Sequence, residues 1–228
     1  RDAVLVHQAH HADDFLHLVG VVHEAVAHVP PGGVMHLGVL QYRLKTYPAA
    51  ITHLTEATRI NPKQPEPFIV LGLAHLQAEQ FEKALSTFEE GIRYHQKNAD
   101  LHFNLGTAYD KLNRFDDVVK AMETALALDP HHADALNYLG YSYAERGIKV
   151  EQALTLTKQA VALKPDNGYY VDSLGWAFYK SGRFNEALAE LKRAVALVGD
   201  DPVIHEHLGE IYLKQQKLSE AKEAWLHS

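Results

Sequence analysis

Along most of the chain, small and large apolar positions alternate with polar ones in a unit that recurs about every 34 residues, a period typical of stacked helical repeats. Its clearest marker is a Leu-Gly pair, found at Leu37-Gly38, Leu71-Gly72, Leu105-Gly106, Leu139-Gly140, Leu174-Gly175 and Leu208-Gly209. With that glycine as position eight, the copies run 31–64, 65–98, 99–132, 133–167 and 168–201, with a partial copy at 202–228. Position twenty is Ala50, Ala84, Val118, Ala153, Ala187 and Ala221, and position twenty-seven is Ala57, Gly91, Ala125, Ala160 and Ala194. Position eleven is Tyr109, Tyr143, Phe178 and Tyr212 in copies three to six. Copy four keeps this register only with one extra residue near "RGIKVEQ".

The pattern predicts two antiparallel helices per copy. Small residues at positions eight and twenty let the two axes approach, and those at twenty-seven do the same for the next copy. Large residues recurring at positions four, seven, eleven and twenty-four fill the remaining space. The turn between the helices falls at Asn113, Gly147 or Gly182, residue types that tolerate the left-handed backbone that ends a helix. Pro62, Pro130 and Pro165 stop the second helix. Asp201-Pro202 reads as an N-cap followed by proline at the first helical position.

These copies resemble the tetratricopeptide repeat (TPR) family over about 31–228. The resemblance implies an all-α fold, a right-handed superhelix or α-solenoid of about six helix-turn-helix repeats, with the first helix of each lining a concave face where partners bind. Copies four to six, with "ALNYLGYSYAERG" and "DSLGWAFYKSGRFNEAL", are similar to bacterial TPR proteins of the outer-membrane lipoprotein type. That similarity alone favours a periplasmic or outer-membrane-associated address over a cytoplasmic one. Residues 1–30 do not fit the repeat and read as a helical cap ending at the turn "VPPGG". The chain does not begin with Met and reads as a processed or trimmed form.

Composition narrows the function classes. The net charge of -7 gives no basic face for nucleic acid. Without cysteine there is no disulfide, thiolate zinc site or Cys nucleophile. The most apolar stretch, "FLHLVGVVHEAVAHV", is too short for a transmembrane segment and carries three His and a Glu. His7, His10, His11, His17, His23 and His28 crowd one segment, but two histidines on one helix face do not complete a site, and no metal is expected. His23 and His28 are five apart, not the four that a zinc-protease helix needs. No Walker loop, dinucleotide fingerprint or nucleophile elbow occurs. The expectation is a non-enzyme with no cofactor.

In the TPR family, positions two, five, nine and twelve of each first helix point into the groove, with six near its edge. The resemblance therefore implies partner-binding residues Phe103, Asn104, Thr107 and Asp110 in copy three. Copy four supplies Asn137, Tyr138 and Tyr141; copy five Tyr169, Asp172, Trp176 and Tyr179; copy six Glu206 and Glu210. The early groove, with Met35, Val39, Tyr42, Ile69 and Leu73, is apolar, and the late groove is aromatic with an acidic rim. Trp176 is the residue least explained as core. The Lys and Arg that a carboxylate-clamp TPR groove needs are replaced by residues such as Asn137, Tyr141 and Asp172, which disfavours chaperone-tail binding.

The reading is a non-catalytic protein-interaction scaffold whose groove takes a peptide or protein segment with basic and apolar residues. Two alternatives stand beside it. One is a substrate-recruiting arm or adaptor of a larger enzyme, such as a protease or glycosyltransferase complex. The other is a structural protein that forms homo-oligomers through the array ends.

Overall fold

The computed structural model describes residues 31–227, and all regular structure among them is helical. The expected helical cap and the histidines of 1–30 lie outside the described residues. Twelve helices follow one another: α1 (Pro31–Arg43), α2 (Tyr47–Ile60), α3 (Pro65–Gln77), α4 (Phe81–Tyr94), α5 (Ala99–Lys111), α6 (Phe115–Leu128), α7 (Ala133–Glu145), α8 (Val150–Leu163), α9 (Gly168–Lys180), α10 (Phe184–Val198), α11 (Pro202–Lys214) and α12 (Leu218–Trp225). They pair as antiparallel hairpins, α1 with α2 through α11 with α12. The chain divides into two compact units, one ending at Gln96 and one beginning at Lys97.

Each hairpin closes on the repeat glycine. A Cβ at Gly38 or Gly175 would lie within 3 Å of Leu54 or Leu191 side-chain atoms, and one at Gly72 would lie 2.2 Å from Phe88 Cε1. The same encounter recurs between Gly106 and Met122, Gly140 and Thr157, and Gly209 and Trp225. The residue at position twenty-four thus occupies the volume that position eight vacates. Leu54, Phe88, Met122 and Leu191 are wholly buried there.

The turn inside every hairpin holds one residue at positive φ: Lys45, Glu79, Asn113, Gly147, Gly182 and Gln216. Copy four adds a second, Lys149 at φ 47, so the extra residue sits in the turn between α7 and α8 and both helices stay regular. Four inner helices of the second unit carry side-chain N-caps. Asn98 accepts from Leu101 N–H, Asn167 from Tyr169 and Tyr170, and Asp201 from Val203 and Ile204. His132 does the same work: Ala135 N–H donates to its Nδ1 at 3.2 Å, leaving Nε2 to face Asp100 at 3.1 Å.

In the first unit, Leu54, Leu71 and Ala74 form a core against which Val39 and Tyr42 pack. His75 is buried in α3, its Nδ1 2.9 Å from Gln80 Oε1. Burial, opposed by the Gln80 contact and reinforced by Lys83, holds its pKa below the ordinary 6.5.

Two outcomes follow for stability. Gly72→Ala should lose about 2 kcal/mol in a denaturant melt, because the wholly buried Phe88 ring has nowhere to go and the overpacking exceeds the ~1 kcal/mol gained in helix propensity. Gly106→Ala should stay within about 1 kcal/mol of the parent, since the Met122 thioether that it meets is flexible. An equal loss at both positions would contradict this. For His75, the unfolded chain takes up the proton first as pH falls through 6.5, so stability is complete above that value and declines below it. His75→Gln should flatten the decline of the thermal midpoint between about pH 7 and pH 5.5; an unchanged slope would place the sensitivity elsewhere.

Candidate functional site: the inner-helix face of the second unit

The inner helices α5, α7, α9 and α11 supply one face of the second unit. Phe103 on α5 meets Tyr138 on α7 edge-on at 6.1 Å and lies 5.0 Å from the His132 ring. Tyr141 on α7 and His207 on α11 approach to 6.4 Å although α9 lies between their helices. Residues two repeats apart can meet on this side only if it is concave.

The floor of the face is an aromatic stack. Trp176 lies flat between Tyr179, at 4.8 Å and 15°, and His207, at 4.1 Å and 14°. Its indole N–H donates to Glu145 Oε2 at 2.6 Å. His207 Nδ1 sits 2.8 Å from Asp172 Oδ1, a hydrogen bond between two buried groups that ties α9 to α11. Tyr179 donates its hydroxyl to Glu210 at 3.2 Å. At the rim, Lys180 Nζ lies 4.7 Å from the Trp176 ring and donates to the Glu145 carbonyl.

Burial, reinforced by nearby carboxylates, keeps the phenols protonated. Burial, then the carboxylates of Glu145, Asp172 and Glu206, push the Tyr141 hydroxyl up to about 12. Tyr138 is raised further, by burial and by its hydrogen bond to Asp110. Tyr179 is raised by burial and Glu210. On the shoulder of the groove, Tyr170 donates to Asp134, and Lys164 approaches the same carboxylate at 3.7 Å.

The sequence-assigned residues divide into two sets. Phe103, Thr107, Asp110, Asn137, Tyr138, Tyr141, Tyr179 and Glu210 are half-buried on the inner helices, and Glu206 is exposed. Asn104, Asp172 and Trp176 are not free. Asn104 donates its Nδ2–H to the Asp100 carbonyl at 2.7 Å, Asp172 is 6% exposed against His207, and Trp176 is 7% exposed with both faces and its N–H engaged. The expectation that Trp176 resists a core explanation is corrected: adjacent inner helices stand close enough for a large side chain at position nine to be covered by the next repeat. Tyr169, at the start of α9, is 57% exposed and takes no part in the stack. In the first unit, Met35, Val39, Tyr42, Ile69 and Leu73 are half-buried.

Sequence reasoning passed over His207, Glu145 and Lys180. A signal for the first existed in the spacing: His207 at position six of copy six falls beside Asp172 at position five of copy five. Among the described residues no group of three or more His, Asp or Glu is placed to hold a metal, and no helix is long and apolar enough to cross a membrane.

The comparisons with known proteins agree with this architecture. A tetratricopeptide repeat model matches residues 69–117 and 105–168, and a TPR repeat model matches 175–216, together more than half of the chain. A TPR repeat-containing protein of Pseudomonas aeruginosa is 40% identical over 53 residues, which are 23% of this chain and 9% of that protein's length. Among solved structures, a TPR protein of Thermus thermophilus superposes with a TM-score of 0.64 at 24% identity, covering 81% of this chain and all of that one. A chain of an APC/C hetero-tetramer superposes with a TM-score of 0.76 at 18% identity, covering 87% of this chain and 40% of that one. The chain belongs to the tetratricopeptide repeat family. Tetratricopeptide repeats imply a protein–protein interaction scaffold.

Asp172→Ala should cost about 2–4 kcal/mol, because it leaves a buried imidazole without its carboxylate. Glu206→Ala, on the exposed rim, should change stability by less than about 0.5 kcal/mol. Urea melts followed by tryptophan fluorescence separate the two, and equal effects would mean that the His207–Asp172 contact does not hold α9 to α11.

Proposed function

We propose that the concave face of α5, α7, α9 and α11 binds an extended segment of a partner protein that carries basic and apolar residues. The observation that carries this reading is one surface on which half-buried aromatic rings, Phe103, Tyr138, Tyr141 and Tyr179, share the inner helices with the carboxylates Asp110, Glu206 and Glu210. Aromatic rings contribute contact area at low conformational cost, and carboxylates select for cations while speeding the encounter. Thr107 and Asn137, between the rings, add hydroxyl and amide groups that can bond a peptide backbone. Asp172 and Trp176 serve this surface as its support: through His207 they tie α9 to α11 from beneath, while Asn104 bonds back to its own helix.

The test is site-specific photocrosslinking. Benzoyl-phenylalanine replaces Tyr138 or Tyr141 in the groove, or Gln159 on the exposed side of α8 as a control. The groove positions should capture a discrete partner whose crosslinked peptide contains Lys or Arg near apolar residues, and 0.5 M salt should diminish the yield. Equal capture of that partner from Gln159 would move the binding surface off the inner helices.

A further inference from the structure

The groove reading leaves open which basic side chain the surface accepts, and a set of unmatched acceptors bears on it. Asn137 and Tyr141 are four residues apart on α7 and so share a face. Asn137 Oδ1 is buried and accepts no hydrogen bond. A buried amide oxygen without a donor costs roughly 1–3 kcal/mol, so it calls for a donor from outside the described side chains. Glu145 lies four residues further along α7, and Glu206 directly precedes His207, whose ring lies 6.4 Å from that of Tyr141. Glu206 is exposed and makes no ion pair among the described residues.

The cations nearby are committed elsewhere. Arg146 lies over the Phe115 ring at 3.9 Å, and Lys180 is held at the rim by the Trp176 ring and the Glu145 carbonyl. The site therefore combines a half-buried phenol ring, two exposed carboxylates and an unmatched amide oxygen, and the two cations nearest it among the described residues are already engaged. Several acceptors spread around one aromatic face suit a flat cation with several donors. A guanidinium carries five N–H groups in a rigid fork and stacks on aromatic rings, whereas an ammonium concentrates three donors at one point.

Resting on the groove reading, we propose that Asn137, Tyr141, Glu145 and Glu206 form a subsite for the guanidinium of an arginine in the partner segment. The ring of Tyr141 takes the flat face of the guanidinium. Glu206 and the outer oxygen of Glu145 accept from its edges, and Asn137 accepts a further N–H.

The intact chain supplies its own reporter. Trp176 donates its indole N–H to Glu145, so that proton's resonance responds to events at the subsite, and Trp225 on α12 provides an internal control. Three blocked pentapeptides, Leu-Phe-X-Phe-Leu with X as arginine, lysine or the neutral isostere citrulline, are titrated into nitrogen-15-labelled protein. The arginine peptide should shift the Trp176 indole signal more than that of Trp225 and bind about tenfold more tightly than the other two. Glu206→Gln should cut that preference at least about threefold with the thermal midpoint unchanged, since the side chain is exposed. Equal binding of all three peptides, with Trp176 shifting, would overturn the arginine subsite and leave the groove reading intact. Arginine and lysine binding alike would reduce the effect to undirected charge attraction and overturn it as well. No shift of Trp176 with any peptide would defeat the subsite and count against the groove itself.

Discussion

Between the two helices of every repeat there is room for one large side chain only because the opposite helix has none at that level. Gly72 yields to Phe88, Gly175 to Leu191 and Gly209 to the indole of Trp225. This mutual exclusion sets the separation of the helix axes, and through it the spacing of the inner helices from one repeat to the next. The aromatic floor of the second unit depends on that spacing. Trp176 can stack on His207 only where α9 and α11 stand close enough for a side chain of each to meet.

Much of this was legible in the chain because the constraint repeats. A glycine at a fixed period, an alanine twelve positions later and a proline before the next copy reveal the hairpin without any single residue being decisive. Where a position admits several chemical solutions, the signal fades. The positive-φ residue of the turn is Gly147 or Gly182 in two copies but Lys45, Glu79 and Gln216 in others, where the fold imposes the conformation against side-chain preference. His132 as a helix cap was invisible for a similar reason: an imidazole nitrogen can accept from a backbone N–H, yet histidine is not among the residue types that usually do so.

The candidate site was less legible than the fold. Position in the repeat indicates which helix face a residue occupies, and Tyr138 and Tyr141 do lie half-buried on the inner helices. Whether such a residue remains available depends on what the neighbouring repeat brings to it. Asp172 and Trp176 belong to the same face but are covered by His207 and Tyr179, a consequence of side chains contributed by α11 and by the next turn of α9. Periodicity within one copy does not convey that information; the Asp172–His207 pairing emerges only when position five of one copy is set against position six of the next. The resulting division of labour has a physical logic. Buried polar groups with complete hydrogen bonding fix geometry, and those left half-buried beside them retain the freedom to exchange water for a ligand.

The supernumerary residue of the fourth repeat shows how the array handles unequal lengths. Lys149 is accommodated by a second left-handed residue in the bend between α7 and α8, while Gly140 still faces Thr157 and the helices keep their regular ladders. The bend also stays packed: Lys149 Nζ donates to the Tyr143 hydroxyl at 3.0 Å, and Arg146 lies over the Phe115 ring. The α7–α8 corner works as an expansion joint: it takes up one residue of extra chain and leaves the hairpin on either side of it in register.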